Sequence, residues 1–244
     1  MRTERRADQM RPVSIEPGFL TRPLGCVLIA FGETRVLCCA SIENRVPPWM
    51  VGRGKGWITG EYSLLPGSTS PRARREASSG KISGRTQEIQ RLIGRSLRMA
   101  VDLEKLGERT LWVDCDVLQA DGGTRTAAIT GGWVALALAI DALLRAGELR
   151  ESPIARQVAA VSVGIVDGET LLDLEYREDS RADVDLNVVM TGTGELIEVQ
   201  GTAESHPFTP ASLAQMTALA HAGISELLEI QRRALEGCGA ARPV

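Results

Sequence analysis

Six consecutive residues, Asp121-Gly122-Gly123-Thr124-Arg125-Thr126, bring together two glycines, two hydroxyls and one arginine. They follow a strand-like stretch, Leu111 to Leu118, and precede a long apolar stretch, Ala127 to Leu144. At a strand-to-helix junction such a run can cradle an anion, because unpaired backbone N–H groups and the positive end of the helix dipole both favour a phosphate. Glycine pairs at such junctions more often only turn the chain, so the run alone does not decide between the two readings. A second group is acidic: Glu178, Asp179, Asp183 and Asp185. Asp183 and Asp185 share one face of a strand if the strand begins that early, with Asp179 in the loop before it. Clustered carboxylates repel one another unless a cation or donor neutralises them. With only two histidines, His206 and His221, the chain is poorly supplied with nitrogen ligands, and oxygen ligation of Mg²⁺ or Mn²⁺ is the natural hypothesis. The alternative is a solvated acidic turn. Arg85 stands at the start of a predicted helix, where a cation opposes the dipole; with Arg125 it could clamp a phosphate bidentately.

The elements that must position these groups are legible from periodicity. Leu24 to Phe31 and Thr34 to Ile42 read as a hairpin around Gly32-Glu33. Residues 86–102 carry Ile89, Leu92, Ile93, Leu97, Ala100 and Val101 at helical spacing, with Ser83 or Thr86 as the cap. Leu111 to Leu118 alternates as a strand, and Ala127 to Leu144 follows as a helix. Strand patterns return at Val158 to Val166, Leu171 to Tyr176, Val184 to Met190 and Leu196 to Val199, the first two joined by an Asp167-Gly168 turn. Thr209-Pro210 opens a final helix reaching about residue 235. Residues 1–12 read as an arginine-rich arm. Residues 46–84 read as one long inserted loop carrying Arg53, Lys55, Arg72, Arg74, Arg75 and Lys81. The order of elements predicts an α+β class, helices packed on mixed sheet, as a single domain over residues 1–244.

Composition narrows the function. The chain has 244 residues, 43% hydrophobic and 24% charged, ordinary for a globular protein that buries a full core. Aromatics make up only 4%, which argues against an aromatic stacking platform for bases. Five cysteines, an odd number with no C-x-x-C, fit a reducing, cytoplasmic setting, and no apolar leader or membrane-length run is expected. Two histidines leave little room for a Ser-His-Asp triad. The net charge of −3 hides an asymmetry: residues 45–98 hold eleven Lys or Arg against three Glu, and residues 167–198 hold ten Asp or Glu against two Arg. The basic half suits a polyanion such as nucleic acid, and the acidic half suits a metal ion. His206 before Pro207 reads as structural, and the scattered methionines as core.

Three motifs carry a resemblance. Residues 80–98, with Ser83-Gly84-Arg85-Thr86-Gln87-Glu88-Ile89 at their centre, resemble the signature helix of the ribonuclease PH family. So do residues 114–126, ending in the Gly-Gly-Thr-Arg-Thr run, and Glu178-Asp179-Ser180 through Asp185-Leu186-Asn187, followed by Glu198-Val199-Gln200-Gly201. The likeness covers nearly the whole chain. It implies the ribosomal protein S5 domain 2-like fold and a phosphorolytic 3′→5′ exoribonuclease, also a tRNA nucleotidyltransferase, that trims the 3′ ends of tRNA precursors and other RNA. Inorganic phosphate would attack the terminal phosphodiester and release nucleoside 5′-diphosphates; the reverse reaction would add nucleotides. By that resemblance Arg85, Gly123, Thr124 and Arg125, with Thr126 adjacent, bind phosphate. Asp179 and Asp185 are catalytic and hold Mg²⁺ or Mn²⁺, and Arg72, Arg74 and Arg75 contact RNA. A homohexamer, a trimer of dimers, is implied as the assembly. Gly60, Gly67, Ser70 and Asp183 depart from the family pattern. A non-catalytic RNA-binding ring subunit is the rival reading; it predicts loss of the phosphate arginines or the aspartates, and both sets are present.

Overall fold

A computed structural model of the chain describes residues 2 and 5–239, apart from the side chains of Ala77 and Ser79. The elements run β1 (Val13–Pro17), β2 (Gly25–Phe31), β3 (Thr34–Glu43), β4 (Trp57–Leu64), α1 (Gly84–Arg98), α2 (Leu103–Leu106), β5 (Thr110–Gln119), α3 (Thr124–Arg145), β6 (Val158–Val166), β7 (Glu169–Leu172), α4 (Tyr176–Asp179), β8 (Val184–Thr191), β9 (Leu196–Ala203) and α5 (Pro210–Gly237). Five strands form one sheet in the order β1-β2-β3-β5-β4, and four form a second in the order β7-β6-β8-β9. All neighbours are antiparallel except β4 and β5. That exception follows from connectivity: α1 and α2 intervene between β4 and β5, and a parallel pair needs such a crossover.

The core is organised by α3. A helix apolar all round must be covered all round, and α3 packs against β2 and β3 on one side and β6 on the other. Its length and mean hydropathy of 1.8 would suffice to cross a membrane. The expectation that no run reaches membrane length therefore fails on composition. This helix is instead the buried layer between the sheets, with Trp133, Ile129, Leu136 and Ile140 almost fully enclosed. Its Gly131 lies against Ile29 and Cys38, and Gly25 of β2 approaches the Ala135 carbonyl so closely that no side chain fits there. From α5, the buried Gln231 donates to the carbonyls of Thr130 (2.9 Å) and Val158 (3.0 Å), tying that helix to α3 and β6.

Four sequence expectations change. Residues 46–84 are not one loop: β4 runs through them, with Ile58, Gly60 and Tyr62 turned inward. Gly60 hid the alternation, because glycine gives no apolar signal. Residues 1–12 are not a free arm: among the described ones, Arg2, Arg5 and Arg11 are drawn into ion pairs with Asp173 and Glu178. The strand read over 171–176 starts earlier and stops sooner, since β7 runs Glu169–Leu172 and α4 begins at Tyr176, so Asp179 stands in a helix rather than a loop. β8 starts only at Val184, which leaves Asp183 outside it, accepting a hydrogen bond from Ser205. The hairpin, the Ser83 cap and the Thr209-Pro210 start are as expected.

At position 60 the backbones of β4 and α1 approach closely. A Cβ there would stand 2.6 Å from Ile93 Cγ2 and 3.2 Å from the Gly94 nitrogen. Gly60→Val overpacks this contact and should cost roughly 1–3 kcal/mol. Urea denaturation measures it; an unchanged midpoint would show that the helix simply moves away.

Candidate active site

The carboxyl end of β5 delivers the glycine loop into a cleft of about 960 Å³. Gly122 (φ 76°) and Gly123 (φ 66°) both occupy the left-handed region, and Gly123 is the N-cap of α3. A Cβ on Gly122 would collide with the Leu174 carbonyl, while one on Gly123 would crowd Arg11 Nη2 at 3.1 Å and be strained by the positive φ. Behind the loop sits an interior cation. Arg11 is 5% exposed and pairs with the fully buried Asp173, Nη2 to Oδ1 at 2.7 Å and Nε to Oδ2 at 2.9 Å. Its remaining donors reach the carbonyls of Asp121 and Gly122. Thr34 Oγ1 also donates to the Gly122 carbonyl (2.6 Å) and accepts from the Asp121 amide (2.9 Å). A trans peptide points its C=O and N–H in opposite directions. Anchoring these carbonyls inward therefore turns the amides of Gly122 and Gly123 away from Arg11. They join the unpaired N–H groups of the first turn of α3.

Two arginines face this cradle. Arg85, the second residue of α1, follows the Ser83 cap and lines the cleft. Arg125 lines it from the first turn of α3, its side chain 15% exposed, and donates from Nη1 to Gln200 Oε1 of β9 at 2.7 Å. Thr124 lines the cleft and shares a 2.8 Å hydrogen bond with the buried Tyr62 hydroxyl. Burial pushes the Tyr62 phenol up, while its bond to Thr124 and the charges of Arg85 and Arg125 pull it back. Thr126 does not reach the cleft: it is fully buried, and its hydroxyl donates to the Gly123 carbonyl at 2.9 Å. It fastens the loop from within.

Asp179 and Asp185 line the same cleft, one from α4 and one from β8. α4 is held by its Glu175–Glu178 capping box and by Arg2, which grips Glu178 at 2.6 and 2.7 Å. Burial alone would raise Glu178; the Arg2 hydrogen bond overcomes this and keeps it below the usual range. Burial raises Asp179, against the opposing pull of Arg85 and Arg125. Asp185 is pushed up to about 6, first by burial and then by the charge of Asp179. Asn187, two residues along the same face of β8, donates to Asp185 Oδ2 at 3.2 Å, while the buried Asp185 Oδ1 has no hydrogen-bond partner. Two carboxylates both raised by burial, one of them further by the other's charge and with an orphaned oxygen, suit a hard divalent cation that keeps most of its shell for water and phosphate. Among the described residues no cluster of three or more His, Cys, Asp or Glu forms an all-protein cage, which fits that kind of ion better than zinc.

Arg72, Arg74 and Arg75 are exposed and do not line the cleft, although Thr69, Ser70 and Pro71 just before them do. Arg53 and Lys55 lie before the opposite end of β4, roughly 25 Å away at ~3.3 Å per strand residue; Lys55 pairs with Glu104 at 2.9 Å. Tyr62, Glu88, Asn187 and Gln200 are cleft residues that sequence reasoning gave no role. Alternation along β9 was the available signal for Gln200, whereas Gly60 interrupts the pattern that would have marked Tyr62.

Residues 9–140 match the family model described as 3′ exoribonuclease family, domain 1, and residues 156–223 match domain 2 of the same family. The chain belongs to the 3′ exoribonuclease family. It is 61% identical over 228 residues to Ribonuclease PH of Syntrophomonas wolfei subsp. wolfei, covering 93% of this chain and 95% of that one. Among solved structures it resembles rice (Oryza sativa) Rrp46, with TM-score 0.77, 20% identity, and 95% and 98% of the two chains covered. It also resembles the Archaeoglobus fulgidus exosome with RNA bound to the active site, with TM-score 0.76, 20% identity, and 92% and 90% covered. The two structural likenesses show the fold, which is the α+β RNase PH architecture expected from the sequence.

The elevated Asp185 has a measurable consequence. Its folded value lies above the ordinary 3.8 of the unfolded chain, so folding disfavours the ionised form. The resulting penalty is absent below pH 3.8, grows as pH rises, and is complete above about 6. In metal-free buffer at pH 8, Asp185→Asn should therefore stabilise the fold, by at most about 3 kcal/mol. Thermal melts at pH 8 and pH 4 provide the check: the gain must shrink at the lower pH, and a loss at pH 8 would contradict it.

Proposed function

We propose how this phosphorolytic 3′→5′ exoribonuclease divides its chemistry among the cleft residues. Inorganic phosphate is the nucleophile. It sits on the Gly123, Thr124 and Arg125 amides at the start of α3, with the guanidinium groups of Arg85 and Arg125 on its oxygens. An anion must be brought against the anionic terminal phosphodiester of RNA, and these donors offset the repulsion while fixing the attack direction. No histidine base is required, because phosphate is already an anionic nucleophile. Asp179 and Asp185 would hold Mg²⁺ or Mn²⁺, with Asn187 orienting Asp185. The ion would supply positive charge for the scissile phosphate and the departing 3′ oxygen. The terminal residue leaves as a nucleoside 5′-diphosphate, and the reverse reaction extends a 3′ end. The observation that carries this reading is the convergence, in one cleft, of a helix-start anion cradle flanked by two arginines and a pair of half-buried carboxylates, one with a buried, orphaned oxygen.

The substrates are RNA 3′ ends, tRNA precursors among them. Phosphate contacts carry no base information, so sequence preference is low. Arg72, Arg74 and Arg75 would draw single-stranded RNA toward the cleft, the more so if copies assemble as a homohexamer with their basic segments around a common entrance.

Labelled RNA incubated with and without phosphate tests the reaction. Nucleoside diphosphates should appear only when phosphate is present; monophosphates formed without it would mean hydrolysis. Arg125→Ala should reduce phosphate-dependent trimming by at least a hundredfold, the scale of losing one preorganised oxyanion donor, while RNA binding in a filter assay stays close to that of the parent. Asp185→Asn should abolish trimming in both directions and remove the rise in melting temperature that Mg²⁺ gives the parent. An equal Mg²⁺-induced rise in the variant would exclude Asp185 as a ligand.

A further inference from the structure

One wall of the cleft is a polar seam between α1 and β9. Glu88 and Arg95 stand seven residues apart on α1, two turns along one face. Glu198 and Gln200 alternate on β9 and so share one face of that strand. Arg95 forms a two-pronged pair with Glu198, Nε to Oε2 at 2.6 Å and Nη2 to Oε1 at 2.9 Å. One step along the seam, Gln200 bridges two charged groups. Its Oε1 accepts from Arg125 Nη1 at 2.7 Å, and its Nε2 donates to Glu88 Oε1. Glu88 Oε1 itself stands 3.7 Å from Arg125 Nη1. Chemistry fixes this amide's orientation: its oxygen must face the guanidinium and its NH₂ the carboxylate, since the reverse puts donor against donor and acceptor against acceptor.

We propose that Gln200 positions Arg125 for the attacking phosphate, and that Glu88 limits how tightly that phosphate is held. The proposal rests on the reading of Arg125 as a phosphate ligand. A guanidinium on a flexible stem loses rotamer freedom when it binds an anion, and a hydrogen bond to Gln200 removes part of that freedom in advance. Glu88 is half-exposed and lines the same cleft, so its carboxylate competes with any anion that approaches Arg125. Such competition has a use in phosphorolysis. An oxygen of inorganic phosphate bonds to the terminal phosphorus, and the bond from that phosphorus to the 3′ oxygen breaks. The 3′ oxygen takes up a proton, and the former nucleophile becomes the β-phosphate of the product. One anion subsite must therefore admit the nucleophile and release the product, and an unopposed Arg125 would retain the diphosphate.

The test is steady-state trimming of a labelled single-stranded RNA by the full-length parent, Gln200→Ala and Glu88→Gln, with phosphate and RNA varied separately. Gln200→Ala should raise KM for phosphate about tenfold, the scale of one hydrogen bond to a charged group, and leave KM for RNA unchanged. Glu88→Gln keeps an acceptor for Gln200 and removes the charge. It should lower KM for phosphate about threefold, in keeping with a partly exposed charge pair, and should strengthen inhibition by added nucleoside diphosphate. Loss of a contact that served only to join α1 to β9 would not tighten phosphate. An unchanged or higher KM for phosphate in Glu88→Gln, or an equal shift of both KM values in Gln200→Ala, overturns the proposal. If Gln200→Ala does not fold, Glu88→Gln decides alone. Trimming by the parent that does not depend on phosphate would instead reject Arg125 as a phosphate ligand, and the parent's own phosphate titration shows this separately.

Discussion

The buried pair of Arg11 and Asp173 is the constraint from which the cleft is built. A carboxylate with no exposure survives in an interior only if its oxygens are all engaged. Asp173 meets that condition through the Arg11 guanidinium and the Arg11 backbone amide, which donates to Oδ2 at 2.9 Å. A buried ion pair of this kind is weak evidence for stability, because the desolvation of both partners offsets their attraction. Its value here is orientation. The guanidinium has five donors in a rigid fork; those not spent on Asp173 go to two successive carbonyls of the glycine loop. The loop after β5, in the first sheet, is thereby registered against the segment after β7, in the second. Asp173 itself is held in left-handed backbone (φ 54°), with its amide on the Ser162 carbonyl of β6 at 2.7 Å.

Around that anchor the cleft holds opposed charges in proportion. Arg85 and Arg125 temper the rise of Asp179, and Arg125 tempers that of Asp185. The same arginines are themselves balanced, Arg125 by Glu88 and Gln200. The acidic excess of residues 167–198, read from the sequence as one feature, is dispersed in space, and four of its members fall into two groups. Asp173 and Glu178 neutralise arginines of the N-terminal segment, and Asp179 and Asp185 turn into the cleft. Neighbours in sequence, Glu178 and Asp179, point to opposite duties because α4 separates them by a helical step.

Much of this is legible in the amino-acid sequence. Long apolar elements with clean periods, α3, β5, α5 and the β2–β3 hairpin, announced themselves, as did the glycine loop whose composition fits only a tight junction. The motif resemblance located Arg85, Arg125, Asp179 and Asp185, and the fold brings all four to one cleft. Three kinds of information were hidden. β4 was masked by glycines, since Gly56 and Gly60 are required by contacts with α2 and α1 rather than by a turn. The duty of Arg2, Arg5 and Arg11 was invisible because their partners lie more than 160 residues away, and no local pattern encodes such a pairing. The inward turn of Thr126, beside the cleft-lining Thr124, depends on helix phase at the first turn, which a helix read from Ala127, three residues late, cannot give.

The distance along the chain between Arg11 and Asp173 also governs when the cleft can exist. A growing polypeptide that ends before Asp173 already contains the glycine loop, Arg85, Arg125 and all of the first sheet, yet lacks the anion that holds Arg11 in the interior. Domains fold as units during synthesis, the amino-terminal part first, and contacts this remote are the last to be rewarded. The first sheet and α3 can therefore gather early while the glycine loop waits for the second half. The cleft can therefore close only after Asp173, and with it the start of the second sheet, has been made.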